Sequence, residues 1–141
     1  MAFSFKLLMA VTLLPATVFA QTNFKPGYVV TNSGDTLRGQ VDYRQWDRNP
    51  REIHFKQNNE AWKAYSIDNA KALAVSDVEY YERYAITATN ADTRLSQLSA
   101  LDTSVRADTV FLKVLCKGKT ANFFEFTDKI KTRYYINVSS G

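Results

Sequence analysis

The clearest alternation of apolar and polar positions lies in "YVVTNSGDTLRGQVDY", residues 28–43. Leu37, Gly39, Val41 and Tyr43 alternate with Thr36, Arg38, Gln40 and Asp42. That period of two turns one face of a strand to a core and the other to water. Asn32-Ser33-Gly34-Asp35 separates two β-prone runs, and Gly34 can supply the positive φ of a short bulged loop. A β-hairpin is expected here. "EIHFK" repeats the period, with Ile53 and Phe55 on one side and Glu52, His54 and Lys56 on the other. A polar turn at residues 57–59 then leads into a short strand through Trp62 and Tyr65.

"SIDNAKALAV" breaks the rhythm. Ser66 can cap a helix, Asp68 sits at its favourable positive end, and Ile67, Ala70, Leu73 and Ala74 share a helical face. One short helix is expected near residues 66–74. β-prone aromatic sequence resumes in "EYYERYAITAT". The polar stretch "NADTRLSQLSALDTSVRAD", residues 90–108, reads as a long loop, or as one carrying a weak helical turn at residues 95–101. "TVFLKVLCKGK", "NFFEF" and "TRYYINV" then form a meander, with Val110, Leu112, Val114 and Cys116 on one face of its first strand. Seven or eight short strands joined by close turns give an all-β antiparallel fold. Its apolar face must be hidden by closure into a small barrel or by stacking as a two-layer sandwich.

The first twenty residues, "MAFSFKLLMAVTLLPATVFA", stand outside that pattern. Lys6 precedes an uncharged apolar run, and Val18 and Ala20 occupy the −3 and −1 positions before Gln21. This is the pattern of a cleavable signal peptide. The run is short for a membrane core roughly 30 Å thick. Residues 1–20 are thus read as an export signal and 21–141 as a single β-rich domain. No cysteine at the cleavage point offers a lipid attachment site.

Composition narrows the chemistry. Cleavage removes only Lys6 among the 18 basic residues, so 17 against 14 acidic residues leaves +3, a mild charge that mainly favours solubility. With no recognition helix or RNP-type strand, nucleic acid is not an expected partner. Cys116 is the only cysteine, so no internal disulfide can form and the fold relies on burial and backbone pairing. Its place among Val110, Leu112 and Val114 predicts a buried, inert thiol. His54 is the only histidine and is expected on the solvent side of its strand. One His and one Cys at unrelated spacings make a poor metal site, so neither a metal nor a cofactor is expected. In "EYYERY" Glu79 and Glu82 are three apart on one strand and point to opposite faces, unlike glycosidase acids, which flank one bond.

The loop "DYRQWDRNPREIHF" offers the one candidate binding patch, Arg44, Trp46, Arg48 and Arg51. Arginine forks suit phosphate or carboxylate, and an indole face suits a sugar ring or a cation. The structural alternative outweighs it. Trp46 then covers an open end of the core, Arg44 or Arg48 pairs with Asp42 or Asp47, and Asn49-Pro50 re-aims the chain into the next strand.

Residues 28–55, with Asn32-Ser33-Gly34-Asp35-Thr36 and Tyr43-Arg44…Trp46…Asn49-Pro50, followed by "YSIDNAKAL" and "VFLKVLCKGKTANFFEF", resemble a family of exported proteins of the Bacteroidetes. In that family a signal peptide precedes a strand, an NGDT-like turn, a second strand and an arginine–tryptophan–asparagine–proline loop, often with an outer-membrane β-barrel downstream. The resemblance implies location and fold class and transfers no activity. The expected function is an exported, non-catalytic envelope or surface module. It would bind an envelope protein, a peptide or a glycan, or serve as the accessory domain of a larger envelope protein. Membrane association is expected only through a partner or through chain beyond Gly141. A small outer-membrane β-barrel and a hydrolase using Cys116 or carboxylates are the alternatives. The barrel is disfavoured by short strands carrying charge on their polar faces.

Overall fold

A computed structural model describes residues 23–91 and 104–138. The expected signal segment and the expected helical turn at residues 95–101 lie outside the described residues. The described chain forms nine strands in one sheet: β1 (Phe24–Thr31), β2 (Thr36–Asp42), β3 (Glu52–Lys56), β4 (Lys63–Ser66), β5 (Ala70–Val75), β6 (Glu79–Thr89), β7 (Val105–Lys117), β8 (Ala121–Thr127) and β9 (Thr132–Val138). Their order is β4-β3-β2-β1-β5-β6-β7-β8-β9, and every neighbouring pair is antiparallel. The all-β antiparallel expectation is met. The sheet does not close into a barrel: β4 and β9 are its edges.

The β1–β2 hairpin forms as expected, with Gly34 at φ 99° and Thr31 N–H donating to Asp35 O at 2.9 Å. The expected helix near residues 66–74 does not form. Ser66 ends β4 and Ala70 opens β5, and residues 67–69 make a tight turn. Ser66 Oγ accepts from Asp68 N–H at 3.2 Å, and Asn69 Oδ1 accepts from Ser66 N–H at 2.8 Å. Ser, Asp and Asn offer the backbone these local bonds, which compete with a helix. The apolar spacing misleads because Ala72, Leu73, Ala74 and Val75 are all buried. A central strand covered on both faces loses the period of two. The expected loop at residues 90–108 is also shorter, since Val105 already pairs with Thr89.

That turn sets the shape of the first half. Four strand spacings, about 19 Å, would separate β4 from β5 in a flat sheet. The link from Ser66 to Ala70 spans at most about 14 Å. The five strands β4-β3-β2-β1-β5 must therefore roll up. Gly27 and Gly39, which oppose each other across β1 and β2, make the bend feasible. A Cβ on Gly27 would lie 2.2 Å from Ala74 O, and one on Gly39 2.2 Å from Lys56 O. Inside the roll lie Val29, Val41, Ile53, Phe55, Ala70, Leu73 and Val75, joined by Tyr81 and Phe111.

The second half rolls toward the opposite face. Residues paired directly across antiparallel strands share a face, so Tyr84 and Val110, Val114 and Phe124, and Phe124 and Tyr135 lie together. Ile86, Ala88, Val110, Leu112, Phe124 and Phe126 form this second core. β9 folds over it toward β6: Arg133 Nη2 donates to Thr89 O at 2.6 Å. One sheet thus carries two cores on its two sides.

Cys116 departs from expectation. A bulge between Val114 and Cys116 slips the register, so Cys116 pairs with Phe123 and its thiol is exposed rather than buried with Val110 and Leu112. One extra residue on a strand reverses every side chain beyond it.

Candidate functional site

The β2–β3 loop, residues 43–51, crosses the first core instead of projecting from it. Tyr43 is buried. Trp46 packs edge-on between Tyr43 and Tyr81, with ring centroids 5.1 and 5.8 Å apart. It covers that core, the structural role set against a binding role above. Beyond Trp46 the loop reaches the second half of the sheet, and Asn49 enters the β7–β8 ladder. Its Nδ2 donates to Phe111 O at 2.8 Å and to Glu125 O at 2.9 Å, and its Oδ1 accepts from Thr127 N–H at 2.9 Å. Asn49 N–H donates in turn to Thr127 O at 3.0 Å. Continuing the pairing of Lys113 with Glu125 would set Phe111 against Thr127. The side-chain amide stands in for that peptide pairing and splits the strands. Pro50 is buried behind it, and β3 begins two residues later.

The expected patch of Arg44, Trp46, Arg48 and Arg51 does not form as one site. Arg44 turns back to Asp42, its Nη2 2.9 Å from Oδ2. It shares a cleft of about 160 Å³ with Trp46, Glu52 and His54. His54 is partly exposed and stacks on Trp62 at 4.0 Å between centroids. Arg48 and Arg51 line a separate cleft, also about 160 Å³, with Asn49, Phe126, Thr127, Asp128 and Lys129.

Around that second cleft a charge network links three parts of the chain. Arg51 pairs with Asp108, and Arg106 lies 3.9 Å from the same carboxylate. Arg106 also reaches Asp128 at 2.7 Å, and Arg133 reaches Asp128 at 3.0 Å. Asp128 Oδ1 accepts from the backbone N–H groups of Ile130 and Lys131. Burial opposes ionisation of Asp128, but the Lys131 and Ile130 amides and the guanidiniums of Arg106 and Arg133 outweigh it. They hold the carboxyl well below the usual carboxylate range. Arg106, Asp108, Asp128, Lys129 and Arg133 were not candidates in the sequence. They lie more than fifty positions from Arg51, on β7, β9 and the β8–β9 turn, whose placement beside the β2–β3 loop only the fold defines.

The remaining candidate chemistry is dispersed. Glu79 pairs with Lys113 and accepts from Tyr81 on one face, while Glu82 pairs with Lys117 and accepts from Tyr80 and Tyr84 on the other. Tyr80 and Tyr81 are raised by burial first and by these carboxylates second, so both phenols stay protonated donors. Cys116 on β7 and His54 on β3 belong to opposite halves of the sheet. Among the described residues no three His, Cys, Asp or Glu side chains gather as metal ligands. Comparison with known protein families, with curated proteins and with solved structures found no match.

Proposed function

We propose that this chain is an exported, non-catalytic module of the cell envelope that holds a protein or peptide partner in extended form along β9. The observation that carries the reading is β9 itself. It is an edge strand of seven residues, and among the described residues no strand lies on its outer flank. Tyr134, Ile136 and Val138 are 69%, 60% and 66% exposed. Their cross-strand neighbours on β8 include exposed Phe123, and Leu115 on β7 is exposed beyond it. An unpaired edge supplies backbone donors and acceptors for an added strand, and apolar side chains beside it supply anchors. The opposite edge, β4, has four residues and opens on Lys63, features that blunt an edge against pairing. The amino-terminal signal pattern and the resemblance to exported Bacteroidetes proteins support the envelope location.

A photo-cross-linking residue at position 136, in cells, tests this reading, with position 71 on exposed Lys71 as control. A discrete adduct at 136 that disappears with Tyr134→Lys and Val138→Lys is the expected result. The processed chain should fractionate with the envelope and lack residues 1–20 by mass. Adducts no different from the control, or recovery of the chain from the cytosol, would sink the proposal.

A further inference from the structure

We infer that the corner where the β2–β3 loop meets the β8–β9 turn is a phosphate-binding cleft, with Arg48, Arg51 and Lys129 as its cations. The inference stands apart from β9 edge docking and uses different residues. Arg48, Arg51, Arg106, Lys129 and Arg133 gather around the carboxylates of Asp108 and Asp128. Five cations against two carboxylates leave an excess of three, whereas the entire chain carries a formal +4.

The two carboxylates are already engaged. Asp128 is held by Arg106, Arg133 and two backbone amides, and Asp108 by Arg51 with Arg106 nearby. Arg48 and Lys129 are exposed on the cleft rim and make no ion pair among the described residues. They are free to face an incoming anion. Phe126 and Thr127 give the cleft a wall, and the Asn49 amide, locked between β7 and β8, fixes the backbone that carries Arg48 and Arg51.

Size and charge narrow the ligand. Cavities for whole small molecules are about 300–1,000 Å³, so 160 Å³ suits one anionic group rather than an entire ligand. A guanidinium presents paired donors that match two phosphate oxygens, and an ammonium adds a compact charge. Arg48, Arg51 and Lys129 line the cleft against Asp128 alone, whose charge Arg106 and Arg133 already meet, and this positive lining favours a dianionic phosphoryl group over a single carboxylate. That group could arrive as free phosphate or on a phosphorylated sugar.

The test is amide NMR titration of the purified protein at constant ionic strength, with inorganic phosphate, glucose 6-phosphate, glucose and glucuronate as probes. Saturable shifts in residues 48–51 and 127–131 are expected with both phosphates and not with glucose. Glucuronate should bind at least tenfold more weakly. Glucose 6-phosphate binding more tightly than phosphate assigns the site to a ligand-borne phosphoryl group, and equal binding assigns it to the free ion. Arg48→Ala combined with Lys129→Ala should weaken phosphate at least tenfold. Both side chains are exposed, and an unchanged melting temperature shows that the fold is kept. Phosphate shifts no larger than those from chloride, or equal affinity in the double variant, would overturn the inference.

Discussion

Asn49 shows how one side chain joins the two halves of this molecule. Its amide satisfies two carbonyls and one N–H that the split between β7 and β8 would otherwise leave without partners. An unmade bond at a buried backbone group costs about 1–3 kcal/mol, less where water can enter. Asn49→Ala should therefore destabilise the protein by about 2–4 kcal/mol, read as a lower urea midpoint at unchanged slope. Asn49→Asp should cost at least as much, because a carboxylate would face the carbonyls of Phe111 and Glu125. Asp47→Ala, two residues away and exposed, should stay within about 0.5 kcal/mol. A small effect of Asn49→Ala would show that the amide is not what couples the loop to the second half. In the sequence, Asn49-Pro50 reads only as a change of direction. Its partners lie 62 to 78 positions away, beyond the reach of any local pattern.

Strands were legible wherever one face met water. β2 and β3 alternate visibly, β6 and β9 show as β-prone runs rich in tyrosine, and the β1–β2 turn carries its own glycine signal. Legibility failed at two elements for separate reasons. β5 lies mid-sheet with small Ala72 and Ala74 buried on one face and Leu73 and Val75 on the other, so its run mimics a helical stripe. β7 alternates correctly until the bulge, which no residue type marks. The bulge makes a prediction that reverses the sequence expectation. Cys116 should react with a small alkylating reagent in the native protein within a few-fold of its rate in denaturant, as followed by mass spectrometry. Protection until unfolding would mean that the bulge is absent and the thiol is buried.

At the scale of the molecule, stability depends on how the oppositely curled halves are held, and Asp128 lies where the β8–β9 turn meets Arg106 of β7. Its carboxyl is depressed in the folded state. The stability it contributes is therefore full above the unfolded aspartate pKa, about 3.9, and is lost as pH falls through the lower folded value. Asp128→Asn should be less stable than wild type at pH 7, by roughly 2 kcal/mol. The gap should narrow below about pH 4, where the wild-type carboxyl also becomes neutral. Thermal melts of both proteins from pH 7 to pH 2 measure this. A gap that stays constant across that range would show that Asp128 draws no stability from its charge.

From the residues alone came the antiparallel β class, the first hairpin, the carboxyl-terminal meander and the structural duty of Trp46. Each follows from period, turn chemistry or the cost of exposing an indole, all of which act over a few neighbouring positions. Tertiary structure alone decided that a single sheet would carry two cores on its two faces. It also decided that Arg44 would part from Arg48 and Arg51, and that Lys129 would join them beside a carboxylate already claimed by Arg106 and Arg133. Those outcomes depend on strand order and on a three-residue link that forces the sheet to roll. Register and curvature arise from the packing of distant segments, and no stretch of chain encodes them by itself.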